Sequence, residues 1–225
     1  MDYATKWHKE LIQGTDDWHA LRAGRFGASG IKDILTKPRA KKDADKLSAG
    51  AKTKAQGKAF EALLGASAPF QGSAATDWGN EWEDKARLSY EEETLTDVSE
   101  VGYIEYGADA GVSPDGVIYD ESKLIEIKCP YNQHKHLENC LHIVDNESFK
   151  KLRPEYFYQV QYQMMVSGYK ECDFVSFDPR LEEVRPDLML HIVSIEACPE
   201  AFELIQERLQ KAIQFKHEVM QCLKK

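Results

Sequence analysis

The sequence predicts an α/β protein in which a mixed central sheet, flanked by helices, follows an N-terminal helical lobe. Three observations predict it. Helical runs lie over 16–36, 58–65 and on to about 93, three short β-type runs separated by turn chemistry lie between 101 and 128, and a helix, two strands and a long helix close the chain.

Residues 16–36 read as two short helices. Asp16 or Asp17 supplies an N-cap for the first, and Gly24-x-x-Gly27-Ala28-Ser29-Gly30 breaks it before Ile31-Lys32-Asp33-Ile34-Leu35. Residues 37–57 are Lys, Ala, Gly and Ser with almost no large apolar side chains, which predicts a mobile loop or arm, with a helix over 58–65 behind it. Trp82, Ala86 and Tyr90 recur at helical spacing after Gly79, so an acidic amphipathic helix runs to about 93. Residues 101–106, 110–118 and 124–128 read as strands. Tyr156 to Val166 reads as a helix, Asp173 to Phe177 and Leu188 to Ile195 as strands, and Pro199 to Leu223 as a helix with proline in its first turn. The 225 residues suit one domain, with a lobe and arm over 1–75 and an α/β core over 76–225.

No apolar run approaches the roughly 18 residues of a membrane span, and the N-terminal residues lack the apolar core of a signal peptide, so a soluble cytoplasmic protein without membrane partners is expected. Five cysteines, widely spaced and without a CxxC pair, argue against a disulfide framework. Cys129, His134, His136, Cys140 and His142 cluster, but their spacing matches no common zinc motif, and core and loop roles are the better reading. The apolar positions of the last helix, among them Phe202, Ile205, Leu209, Ile213 and Leu223, form a core-packing stripe.

A net charge of −9 argues at first against a polyanionic partner. Its distribution says otherwise. Between Arg22 and Lys58 there are eleven basic residues and three acidic ones, net +8; between Asp77 and Glu126 there are fifteen acidic and three basic, net −12. Solvated helix faces of opposite sign would give the same counts. So would an enzyme that grips a polyanion on one lobe and holds divalent metal on the other.

The segment that carries chemistry is Pro114-Asp115-Gly116, followed, ten positions on from Gly116, by Glu126-Ile127-Lys128. In a strand Glu126 and Lys128 share one face and Ile127 takes the other. If the two strands pair as a hairpin, Asp115 and Glu126 converge on one hard cation, with the Ile127 carbonyl as a further oxygen ligand and Lys128 beside them. Mg²⁺ or Mn²⁺ held so would neutralise a phosphodiester and acidify water. Lys128 would orient that water or, with its pKa lowered by desolvation, take its proton. A surface hairpin bearing an ion pair would show the same pattern.

This Pro-Asp…Glu-x-Lys pattern resembles the PD-(D/E)xK nucleases. With Trp18-His19-Ala20-Leu21-Arg22-x-Gly24, Ala28-Ser29, Lys37-Pro38-Arg39, Trp78-Gly79-x-x-x-Glu83, Ser113-Pro114-Asp115-Gly116, Glu126-Ile127-Lys128-Cys129-Pro130 and Gln159-Val160-Gln161-Tyr162, the chain resembles the lambda exonuclease, or YqaJ-like viral recombinase, family from about Trp18 to Met165. The resemblance implies a restriction-endonuclease-like core. It implies Asp115, Glu126 and the Ile127 carbonyl as metal ligands for two Mg²⁺ ions, Lys128 as the catalytic lysine, and Glu83 and Gln159 as completing the site. Without it, Glu83 would be a solvent-facing helix carboxylate and Gln159 a polar core residue.

By the same resemblance Arg22, Ser29 and Ser113 would bind a terminal 5′-phosphate. An arginine fork and hydroxyls suit that ligand, although Arg22 alone would be a surface helix charge. Arg39 with Lys37, Lys41 and Lys42 would line the DNA path, or form a solvated loop. The activity implied is a processive, Mg²⁺-dependent 5′→3′ exonuclease on double-stranded DNA ends. It would release 5′-mononucleotides, work as a homotrimeric ring, and leave a 3′ tail for a single-strand-annealing recombinase. A related endonuclease and a non-catalytic DNA-binding protein are the alternatives.

Overall fold

The computed structural model describes residues 4–67 and 72–223. In chain order the elements are β1 (Thr5–His8), α1 (Asp16–Arg22), α2 (Ile31–Leu35), α3 (Ala49–Leu64), α4 (Ala74–Thr94), β2 (Tyr103–Tyr106), β3 (Ala110–Val112), β4 (Gly116–Ile118) and β5 (Lys123–Lys128). They continue with α5 (Gln133–His142), α6 (Asn146–Leu152), α7 (Pro154–Ser167), β6 (Glu171–Phe177), β7 (Leu190–Glu196) and α8 (Pro199–Cys222). None of the helices is long and apolar enough to cross a membrane among the described residues.

The predicted α/β class holds, and the strands divide into two sheets. β1, β2 and β3 form an antiparallel sheet, while β4, β5, β6 and β7 form a mixed one whose β5–β6 pair is parallel. The run 110–118 is therefore two strands in two sheets. Proline lacks the N–H that a ladder needs, so Pro114 ends the first sheet and Asp115 falls at the joint. Gln13 holds that joint, donating to the carbonyls of Val101 at 2.9 Å and Pro114 at 3.0 Å.

The predicted arm is the largest departure. Residues 49–57 are not a loop but the first half of α3, continuous with the helix expected over 58–65. Ser48 caps it, its hydroxyl accepting from the Ala51 N–H at 3.2 Å. Ala51, Ala55 and Ala59 are buried at a spacing of four, and α3 packs on α8. Small side chains let the two backbones approach, so the buried face carries no bulky residue to announce it. Gly24, with φ +72°, works by the same closeness, because a Cβ there would stand 2.6 Å from that of Ala62. The α1 cap is Thr15, one residue ahead of the expected aspartates.

The structure adds β1, α5 and α6 to the elements read from sequence. Asn132 caps α5, and Asp145 caps α6 in a box with Ser148. The main core lies between α2, α7, α8 and the sheets, with Ile34, Leu124, Phe149, Val160, Phe174 and Ile205 inaccessible to solvent. Burying each such side chain stabilises the fold by about 1.5–3 kcal/mol. A second cluster packs α4 against the other face of the mixed sheet through Ala86, Tyr90, Ile125, Ile127 and Val175, with Trp78 and Trp82 against it. α8 buries two cations among its apolar residues, Arg208 and Lys216. Lys216 donates to the Gly24 carbonyl at 2.7 Å and to Asp109 at 2.6 Å, tying the turn after α1 to the hairpin between β2 and β3.

Candidate active site

Strand alternation places the chemistry. On β5, Leu124 joins the main core while Ile125 and Ile127 join the second cluster, so Glu126 shares the α7 side with Leu124 and Lys128 follows it. Glu126 is inaccessible to solvent, which a carboxylate tolerates only when its oxygens are bonded. Gln159 and Gln163, one turn apart on α7, do this: Gln159 donates to Glu126 Oε1, and Gln163 to Oε2 at 2.6 Å. Lys128 also donates to Oε1 and, at 3.1 Å, to the Ile127 carbonyl.

Asp115 leaves the Pro114 joint pointing at β5, where its Oδ2 accepts the Ile127 N–H at 2.7 Å. Lys128 Nζ stands 3.9 Å from that oxygen. One ammonium nitrogen thus lies within 4 Å of three oxygens, from Asp115, Glu126 and the Ile127 carbonyl. That is an all-oxygen donor set of the kind a hard divalent cation uses, and the residues fit Mg²⁺ or Mn²⁺. Among the described residues no three His, Cys, Asp or Glu side chains form a ready cage.

The electrostatics follow from burial. Asp115 is pushed well above the usual carboxylate range by burial and by the Glu126 charge. Glu83, on α4, is raised by burial, opposed by Lys128 and reinforced by Glu126, which places it in the field of the same group. Desolvation does not win at Lys128, contrary to the expectation from sequence. Burial opposes its charge, but Glu126 and Asp115 outweigh it and hold the ammonium protonated. The Tyr156 ring lies 5.4 Å from Nζ.

Glu83 and Asp115 form one wall of a cavity of about 1130 Å³. Trp18, Arg22, Arg25, Ser29, Lys54 and Lys58 line it elsewhere. The Arg22 guanidinium stacks on the Trp18 ring at 3.7 Å and, among the described residues, makes no hydrogen bond or ion pair. Its neighbours differ. Arg25 pairs with Glu105 at 2.8 Å, Lys54 with Asp33 at 3.2 Å and Lys58 with Glu61 at 2.7 Å. Burial holds Arg22 below its ordinary value, against the pull of Tyr103 and Glu61.

The structure brings together Asp115, Glu126, Ile127, Lys128, Glu83 and Gln159, and sets Arg22 and Ser29 on the adjoining cavity. Ser113 is placed differently. Its hydroxyl donates to the Gly102 carbonyl at 2.8 Å and accepts the Trp18 indole N–H at 3.0 Å, so it orients the ring beneath Arg22. Lys37, Arg39 and Lys42 are exposed on the segment before α3 and do not line the cavity; the Lys41 side chain lies outside what is described. His136 of the His/Cys cluster is a buried structural residue, bonded to Ser176 at 2.9 Å and the Leu188 carbonyl at 2.8 Å. Burial pushes the Cys129 thiol up to about 12.

Sequence reading missed Gln163, Lys54 and Lys58. Gln159 and Gln163 repeat at a spacing of four, as do Lys54 and Lys58, and that second pair becomes visible once the Ala51, Ala55, Ala59 stripe is seen as a helix.

Residues 17–170 match the model of the YqaJ-like viral recombinase domain. The fold and sequence are similar to an alkaline exonuclease from Laribacter hongkongensis, at 32% identity and a TM-score of 0.77, over 93% of this chain and 96% of that one. The same figures hold for that protein in complex with dAMP. A phage-related exonuclease from Haemophilus somnus 129PT, 18% identical over 88% of this chain and 96% of its own, shares the fold with a TM-score of 0.73. No curated protein is similar enough to add to these.

Proposed function

The chain belongs to the family of YqaJ-like viral recombinase domains, and on that footing we propose that it is a metal-dependent exodeoxyribonuclease working 5′→3′ on the ends of double-stranded DNA. One observation carries the reading: the three-oxygen set around Lys128 adjoins a cavity lined by Arg22, which has no carboxylate partner among the described residues. The relative's crystallisation with dAMP supports a nucleotide product.

A divalent cation on the Asp115, Glu126 and Ile127 oxygens would supply Lewis acidity, neutralising the phosphodiester and acidifying water. The chain does the rest. The Ile127 N–H fixes Asp115, and the two glutamines fix Glu126, so neither carboxylate has to reorganise when a phosphate arrives. Lys128 is placed to donate to a phosphate oxygen or to the attacking water. Arg22 offers a planar fork to a terminal phosphate, and Trp18 keeps it in place. A phosphate held there, with its neighbour at the metal site, puts the cut next to a 5′ end. The ring-shaped homotrimer, processive digestion and handover of the 3′ tail to an annealing recombinase belong to the same proposal, on the family resemblance.

Linear duplex labelled at either 5′ or 3′ ends, with Mg²⁺ or with chelator, tests this. Mononucleotides released from the 5′ label in Mg²⁺ alone are expected. Release from the 3′ label first would reverse the polarity, and cleavage of covalently closed circles would make the enzyme an endonuclease. Light scattering checks the trimer.

A further inference from the structure

α8 carries a charge that the proposed chemistry does not use. Arg208 is fully buried, and no carboxylate lies within ion-pair distance of it among the described residues. One terminal nitrogen donates to the Thr36 carbonyl at 3.2 Å and the other to the Ala44 carbonyl at 3.4 Å; Nε has no partner among the described residues. A buried guanidinium without a counter-ion costs far more than an apolar side chain of similar volume, so packing alone does not account for it.

The two carbonyls explain the choice. They bracket residues 37–43, where Lys37, Arg39 and Lys42 are exposed. Cations so close in sequence repel one another and favour an open segment. Inside the loop, the described backbone bonds are short-range ones, such as Asp43 N–H to the Ala40 carbonyl at 3.0 Å. Arg208 reaches both ends of the segment from beneath, closing it as a staple, and the planar fork lets one side chain bind two carbonyls.

Resting on the nuclease reading for the identity of the polyanion, we propose that Arg208 is a positioning residue that preorganises the 37–43 loop, so that Lys37, Arg39 and Lys42 meet the phosphodiester backbone of the duplex. It touches no DNA itself. It acts through those three cations, and its effect falls on DNA affinity rather than on the bond-breaking step.

Binding of a linear duplex to the full chain, measured by anisotropy in chelator over a salt series, tests this in two backgrounds. In the natural background Arg208→Met should raise Kd about fivefold and lower the slope of log Kd against log salt by about one to two, the equivalent of one or two lost phosphate contacts. With Lys37, Arg39 and Lys42 all changed to Ala, Arg208→Met should add nothing, because the contacts it serves are gone. In Mg²⁺ the variant should change KM and leave kcat alone. Arg208→Lys, which keeps the charge and reaches one carbonyl, should fall between the two and replaces the Met variant if that fails to fold. An unchanged Kd, or an equal loss in both backgrounds, overturns the proposal; the second result would make Arg208 a general support of the fold. Natural protein that binds duplex but releases no nucleotide in Mg²⁺ sinks the nuclease reading and leaves this binding comparison standing. Failure to bind duplex at all sinks the proposal itself.

Discussion

The carboxylate cluster behind Asp115, a floor, and the Arg22 side of the adjoining cavity, a wall, are built on opposite plans. On the floor Asp115 is tied by the Ile127 N–H and Glu126 by Gln159, Gln163 and Lys128. On the wall Arg22 is held by stacking on Trp18, with no acceptor bound to its five N–H donors among the described residues. A floor made of bonds fixes atoms for a step that tolerates little displacement. A wall made of stacking fixes a plane while leaving its hydrogen-bonding capacity to an incoming anion. The neighbouring Lys54, Lys58 and Arg25 each have their charge matched by a carboxylate.

The harshest break removes the floor. Asp115→Ala, Glu126→Ala or Lys128→Ala should each lower nucleotide release by roughly 10³-fold or more, since each removes several kcal/mol of charge stabilisation at the reacting phosphate. Circular dichroism should show the fold intact for Asp115→Ala, and full activity in that variant would end the assignment. Loosening the floor without removing it is the next test. Gln163→Leu leaves Glu126 Oε2 without its donor, and a loss of roughly 10- to 100-fold at low metal, with the Mg²⁺ titration shifted to higher concentration, is expected. If metal titration curves superimpose, Gln163 is only packing.

The wall should fail more selectively. Arg22→Lys keeps the charge but loses the planar stack and the fork, so digestion of 5′-phosphorylated ends should fall about tenfold while 5′-hydroxyl ends change little. Equal losses on both ends would put Arg22 outside the phosphate site. The smallest effect concerns the support of that wall. Asp109 is held below its usual range because Lys216 and His217 outweigh the opposing effect of burial. A depressed carboxylate contributes stability that is present above the unfolded value, near pH 4, and is lost as pH falls through the folded value. Thermal melts of the natural chain should therefore decline below about pH 4 more steeply than those of Asp109→Asn; parallel curves would show that the Lys216 contact adds nothing.

Legibility in the sequence followed the physics of each part. The floor could be read because a strand's two-residue alternation converts Glu126-Ile127-Lys128 directly into geometry, and because Pro114 and Gly116 mark the turn that aims Asp115. Glu126's depth could not, since burial depends on α7 crossing above β5, a contact thirty-odd positions away in the chain. α3 was hidden by its own packing: an alanine stripe looks like low-complexity linker until α8 is known to lie against it. The loop fixed by Arg208 was equally hidden, because nothing about an arginine in a late amphipathic helix says that its partners are two carbonyls 164 and 172 positions earlier. His136 was the reverse case, a residue suggestive of metal in one dimension that turns out to brace β6 through Ser176.

The stacked pair on the wall also makes the site visible to light. Trp18 is one of four tryptophans, and the Arg22 guanidinium is centred 3.7 Å over its ring, closer than Arg180 stands over Trp78 at 5.0 Å. A positive charge that close perturbs the indole's excited-state dipole, so its emission colour reports the local field. An anion settling on Arg22 would cancel part of that field. With Trp7, Trp78 and Trp82 replaced by phenylalanine, occupancy of the pocket could be followed in real time by fluorescence, without labelling the DNA or cutting it.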